Sequence, residues 1–454
     1  MSTGFQGIRT NNPEMLPSRS FLLDRETAEG AVSPVAFQPT GQSAVDASGR
    51  IPPKHDAVGP LRIRLFNVKY SPNLGDGLLS ECLEKALMTL GASRDTWSID
   101  LAARQVYGDG LAGRLQIMSA LDMMPKWLRQ QVVRVPLAIQ ARRKWRPHYS
   151  SHIQGAHAVV IGGGNLISDI DLNFPTKLTL AINEAERLSL PFMVYASGVT
   201  PDWSPRGTAM LEKAFSNQFL RGVFVRDHDS KRLWDEKLGD ASGFEAIVVR
   251  DPGLLAADFI PPSRMHHTQF PVAGVGIMSH IAIRYHADNA PEPLYLENWY
   301  LDLVRGLVRK GYHVAIFTNG SPEDVAYLAK LRPQLLAIGR DAVSFPVQRT
   351  PSELCAIISS LDVLVAYRMH AVIAAYSYGV PAVGLAWDRK LQSFMASVNR
   401  EEFLCDVAQA GAPVAVELAC RAVTEGIPDN ERKQVLLEAW QGVSQLLHVL
   451  ERAP

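Results

Sequence analysis

The run most able to do chemistry is Arg368-Met369-His370. The apolar stretch Val363–Ala366 just before it reads as a buried strand, so a cation and an imidazole arrive together at a strand's carboxyl end. His370 then opens the next helix, whose N-terminal dipole disfavours further positive charge on the ring. An arginine and a histidine aimed into one cleft can bind a phosphorylated anion and move a proton. The plainer alternative is a histidine that caps a helix.

Other positions have the same address. Arg226 directly follows an apolar strand in Val225-Arg226-Asp227, where a guanidinium can fork onto a carboxylate or phosphate, or else pair with Asp227 or Asp229. Arg250 is placed alike in Val249-Arg250-Asp251-Pro252, and Lys390, after Trp387-Asp388-Arg389, faces either the same cleft or solvent. Two turns complete the set. Gly162-Gly163-Gly164-Asn165 follows a strand and lets backbone N–H groups approach an anion closely. It is neither GxGxxG nor a P-loop, and it equally suits a tight strand-exit turn. Asn73-Leu74-Gly75-Asp76 lies between a strand and a helix N-terminus, with Asp76 as the expected cap; it suits anion or hydroxyl contacts, or a simple Asx turn.

The elements that must position these residues alternate. Strands are expected at 62–68, 156–161, 192–196, 222–225 and 246–249, with helices after the first, second and fourth. The pattern restarts past Pro261-Pro262-Ser263, with strands at 272–277, 313–317, 363–366 and 381–385 and helices between them. The expectation is an α/β chain of two Rossmann-like domains facing a cleft, 61–262 and 263–454, the second ending in C-terminal helices. Residues 1–60, rich in proline and poor in periodic apolar residues, read as a disordered tail without chemistry.

Bulk properties narrow the function. The 454 residues fit two or three domains, and 46 basic against 46 acidic side chains leave no net field to attract nucleic acid. Cys82, Cys355, Cys405 and Cys420 show no CxxC spacing, which argues against zinc ribbons and redox dithiols and fits a reducing cytoplasm. No apolar run is long enough to span a bilayer and no secretory leader is visible, so any membrane role is peripheral. One segment invites that role: no acidic residue occurs from Met123 to Ile167. Within it Lys126, Arg129, Arg134, Arg142, Arg143, Lys144 and Arg146 interleave with Trp127 and Trp145. The stretch Lys126–Arg146 reads as a patch for anionic lipid head groups at the inner membrane face, or as a solvated basic face.

Taken in order, Asn73-Leu74-Gly75-Asp76, Gly162-Gly163-Gly164-Asn165, Val225-Arg226-Asp227 with Ser230, Asp251-Pro252, Arg368-Met369-His370, and Gly379-Val380-Pro381 with Lys390 resemble the polysaccharide pyruvyl transferase family over roughly residues 61–410. That family is similar in architecture to GT-B glycosyltransferases. The resemblance implies transfer of the enolpyruvyl unit of phosphoenolpyruvate to a sugar of an exopolysaccharide or lipid-linked oligosaccharide, giving a pyruvate ketal. It implies that Arg368 and His370 carry phosphoenolpyruvate binding and proton transfer, with Met369 between them. Arg226 matches the upstream donor arginine, with Arg250 second. The remaining substrate-contact set is Asn73, Asp76, Gly162, Gly163, Gly164, Asn165 and Lys390. The acceptor is expected on the first domain and phosphoenolpyruvate on the second. No metal or cofactor is expected, since phosphate loss here requires neither. One departure from the family pattern is that the arginine members often place shortly after the first strand of the second domain is displaced here, to Arg284 at the end of Met278-Ser279-His280-Ile281-Ala282-Ile283-Arg284. Two alternatives stay open: a GT-B glycosyltransferase using a nucleotide sugar, though no acidic sugar-contacting motif follows His370, and a non-catalytic glycan-binding protein on the same fold.

Overall fold

The computed structural model describes residues 59–109, 134–169, 171–263, 270–286, 291–386 and 388–453. Among these residues the frame is two parallel sheets of six strands each. The first comprises β1 (Ile63–Asn67), β2 (Trp97–Asp100), β3 (Ala158–Gly162), β4 (Phe192–Ser197), β5 (Leu220–Val225) and β6 (Ile247–Val248). The second comprises β7 (Val272–Gly276), β8 (His313–Phe317), β9 (Val343–Ser344), β10 (Val363–Ala366), β11 (Ala382–Ala386) and β12 (Leu404–Asp406). Their spatial orders are β2-β1-β3-β4-β5-β6 and β12-β11-β10-β7-β8-β9.

Strand order reverses between β1 and β3 in the first sheet, and between β7 and β10 in the second. At such a switch point the crossovers leave to opposite faces and open a crevice outside the strands' carboxyl ends. The loops at the two reversals carry Asn73–Asp76 after β1, Gly162–Asn165 after β3, and Arg368–His370 after β10. The motifs therefore sit where this topology places ligands.

Burial on both faces explains the apolar strands. Ile63 and Leu65 of β1, with Ala158 and Val160 of β3, join a core that continues through the second sheet to Leu450. Phe66, Val159 and Ile161 face a separate core with Ile99, Tyr149 and Trp234. The final helix, Asp429–Glu451, buries Val435, Ala439, Val443, Leu446, Leu447 and Leu450 in the larger core, so it binds the fold together. At about 1.5–3 kcal/mol for each fully buried aliphatic side chain, this contact far exceeds the helix's intrinsic propensity.

Some local readings differ from expectation. The helix Leu74–Thr89 is capped by Asn73, not Asp76: Asn73 Oδ1 accepts the Gly75 N–H at 3.3 Å, which puts Asp76 in the first turn. β2, β9 and β12 were not anticipated, because they are short and their apolar signal is weak. Lys126, Trp127 and Arg129 of the basic stretch, and residues 1–58 of the expected tail, lie outside the described residues. Arg142, Arg143, Lys144 and Arg146 are exposed, but Trp145 is buried, with Lys177 Nζ 4.8 Å from its ring centroid. Trp145 is thus a core anchor and presents no aromatic surface. Among the described residues, no helix is long and apolar enough to cross a membrane.

Candidate active site

His370 lies where the N-termini of two helices abut. Its own helix is Met369–Tyr378; the other is Leu74–Thr89. A Cβ on Gly75 would come within 2.5 Å of His370 Cβ and 2.9 Å of Nδ1, so only glycine permits this approach. One turn position on, Asp76 Oδ1 lies 3.8 Å from His370 Nδ1. Gly163 and Gly164 turn away from β3 with φ of 82° and 68°, a conformation that favours glycine, and Gly164 borders the Asp76 carboxylate. Gly162 packs against the Tyr195 carbonyl, where a Cβ would sit 2.1 Å from the oxygen.

On the ring's other side, Asp251 Oδ2 is 3.6 Å from His370 Nε2. Asp251 caps the short turn Pro252–Leu255, its Oδ1 accepting the Gly253 N–H at 2.8 Å. Among the described residues, neither Asp251 Oδ2 nor His370 Nε2 has a hydrogen-bond partner, although both are buried. Burial pushes the Asp251 carboxyl up, but His370, Arg226 and the Gly253 N–H outweigh it and hold the acid below its usual range. Asp251 is therefore anionic at neutral pH. The result is an imidazole between two carboxylates, each a few tenths of an ångström beyond hydrogen-bonding reach.

Arg368 is turned elsewhere. Its Nε and Nη2 donate to Asp324 Oδ2 at 3.1 and 2.6 Å, and Asp324 Oδ1 accepts the Ser279 N–H at 2.9 Å. Asp324 is fully buried, so one edge of the guanidinium is fixed in place. Met369 is half-buried and packs on the core. Arg284 is exposed.

Beside His370 opens a cleft of about 760 Å³, its wall including Arg226, Asp227, Arg250, Asp251 and Lys390. The Arg226 side chain is 7% exposed, with Nε 3.5 Å from Asp227 Oδ2. Its Nη2 is buried and, among the described residues, without a hydrogen-bond partner, as is Asn165 Oδ1. Both border Gly198, where a Cβ would stand 2.8 Å from Arg226 Nη2 and 2.4 Å from Asn165 Oδ1. Glycine there lets both unpaired groups approach the backbone closely. Lys390 is held below its usual range by burial, against the pull of Asp388 and with Arg226 adding repulsion. Arg250 is already committed: Nε reaches Glu438 Oε2 at 2.9 Å and Nη1 the Ser397 carbonyl at 2.8 Å, which braces the final helix.

Asp324 and Gly198 carry no reading in the sequence, and Asp251 enters there only within the Asp251-Pro252 motif, without a role. Asp-Pro-Gly at 251–253 carries the signature of a capped turn, which could have flagged Asp251. Asp324 meets Arg368 across 44 positions and left no local signal. Among the described residues, no group of three acidic, histidine or cysteine side chains is arranged to hold a metal ion.

Two parallel sheets with covering helices, whose switch-point loops meet at Gly75 and His370, define a GT-B-like two-domain α/β protein. A UDP-N-acetylglucosamine 2-epimerase structure shares the fold with a TM-score of 0.51 at 11% identity, covering 86% of this chain and 94% of that one. A Listeria monocytogenes structure described as a UDP-N-acetylglucosamine 2-epimerase gives 0.50 at 12% identity, over 87% and 96%. The chain belongs to the polysaccharide pyruvyl transferase family, whose model matches residues 73–389. That span opens at Asn73 and stops one residue short of Lys390. No curated protein matches the sequence.

Proposed function

We propose that this chain is a pyruvyl transferase that moves the enolpyruvyl unit of phosphoenolpyruvate onto a sugar of an exopolysaccharide or lipid-linked oligosaccharide, closing a pyruvate ketal. The observation that carries the reading is the buried, unpartnered Arg226 Nη2 beside Asn165, in a cleft shared with Lys390. A buried cation with an unused donor costs stability until an anion completes it. Phosphoenolpyruvate offers both a carboxylate and a phosphate to such donors.

In this reading Arg226 and Lys390 hold the anion at the seam between the two sheets, and Arg368, pinned by Asp324, adds positive potential. His370 delivers a proton to the methylene carbon, and a sugar hydroxyl forms a bond to C2 as the double bond is lost. A second hydroxyl of the same sugar then displaces phosphate from C2 and closes the ketal. One hydroxyl proton ends in the new methyl group and the other on the departing phosphate. Asp251 and Asp76 orient the ring and offer proton acceptors on either side. His370→Ala should slow phosphate release from phosphoenolpyruvate in the presence of acceptor by about 10²–10⁴-fold. Turnover near that of the wild type would remove His370 from this role.

A further inference from the structure

We propose that the wall of the cleft formed by the final helix is a binding subsite for a neutral, polyhydroxylated sugar ring. The site itself follows from the geometry; naming that sugar the acceptor rests on the transferase reading above.

The cleft's volume of about 760 Å³ is far more than a three-carbon phosphorylated acid fills; sites for much larger ligands span roughly 300–1,000 Å³. Its charge is unevenly placed. Arg226 and Lys390 stand 3.5 and 3.8 Å from Asp227 and Asp388, at or beyond the limit of a hydrogen bond, whereas the final helix contributes Gln441 and Gln445, one turn apart, facing Ser393 on the helix Arg389–Ser397. Among the described residues, these three side chains make no hydrogen bond within the protein. The charges on that wall are already used: Glu438 accepts from Arg250 on Oε2 at 2.9 Å and from Gln434 on Oε1 at 3.0 Å. What remains free is neutral and can both donate and accept, as neighbouring sugar hydroxyls require. An anion would prefer the arginine end.

The helix is seated for this. A Cβ on Gly442 would come 3.0 Å from the Tyr195 hydroxyl, so glycine lets the backbone settle against the first sheet and carry Gln441 and Gln445 to the cleft. Val248, Val249, Leu254 and Phe394 provide an apolar floor for the C–H face of a pyranose. Gln441 and Gln445 are exposed at the mouth, which leaves room for a glycan to extend outward.

The test is saturation-transfer NMR on the full-length protein with a panel of methyl hexopyranosides, comparing wild type with the double variant Gln441→Leu/Gln445→Leu and with Arg226→Gln. Sugar contact should appear in the wild type, persist in Arg226→Gln, and weaken at least tenfold in the double variant, whose thermal midpoint should match the wild type. Undiminished contact in the double variant, or none by any hexopyranoside with the wild type, would overturn the subsite. If contact follows the predicted pattern but the wild type releases no phosphate from phosphoenolpyruvate, the transferase reading falls while the subsite stands.

Discussion

At the scale of single residues, the pairing of charges decides what each group can do. Arg368 is locked to a buried carboxylate and Arg250 to Glu438 of the final helix, so of these three arginines it is Arg226 that keeps an unused buried donor among the described residues. Asp251 is the acid the arrangement most depends on. Its carboxyl is held below the free value of 3.8, so its contribution to stability is complete above that pH and fades as pH falls through the lower folded-state value. The stability difference between wild type and Asp251→Asn, followed by denaturant titration, should therefore be constant near neutrality and shrink below about pH 4. A difference that grows on acidification would contradict the assigned charge. Arg368, His370 and Arg226 were legible in the sequence because each follows an apolar run that must be a buried strand. Their partners were not: Asp324 and Asp251 are brought in by the fold from 44 and 119 positions away.

At the scale of elements, glycine governs how closely the helix starts and strand exits approach. Gly198→Ala should leave the strands intact but push the Arg226 guanidinium and the Asn165 amide apart. Calorimetry should then show phosphoenolpyruvate affinity reduced about tenfold or more, the size of one charged hydrogen bond. Unchanged affinity would place the anion elsewhere. Asn73→Ala removes the cap of the helix that carries Asp76 and should cost about 1 kcal/mol of stability by chemical denaturation. The exposed cluster Arg142, Arg143, Lys144 and Arg146 keeps a membrane-surface role open as a proposal. If the inner membrane face is where this chain works, it should co-sediment with anionic but not neutral vesicles, with salt releasing it. The triple variant Arg142→Gln/Arg143→Gln/Lys144→Gln should bind them less. Here the sequence misled in one respect: a tryptophan among basic residues resembles an interfacial anchor, yet Trp145 is at 2% exposure because the helix turns that face inward. Periodicity locates an element, but a lone aromatic among charges does not say which way it points.

At the scale of the whole molecule, two sheets of parallel strands bring two switch points together at Gly75 and His370, and the final helix packs into the core they share. The strand and helix alternation conveyed the α/β class and two Rossmann-like units, since buried parallel strands must be nearly all apolar; the GT-B-like architecture was what the family resemblance implied. The four-residue β2, with Ser98 and Asp100 in it, lacks that signature. The final helix's role in lining the cleft depends on long-range packing and could not be read locally. The central claim is that the cleft takes phosphoenolpyruvate through Arg226, and calorimetric titration of phosphoenolpyruvate into wild type and Arg226→Gln tests it without knowledge of the acceptor. The account predicts binding by the wild type, a loss of about 10- to 100-fold in the variant, and no comparable binding of a UDP-sugar by either. Equal affinity in the two proteins, or a UDP-sugar that binds in place of phosphoenolpyruvate, would contradict it.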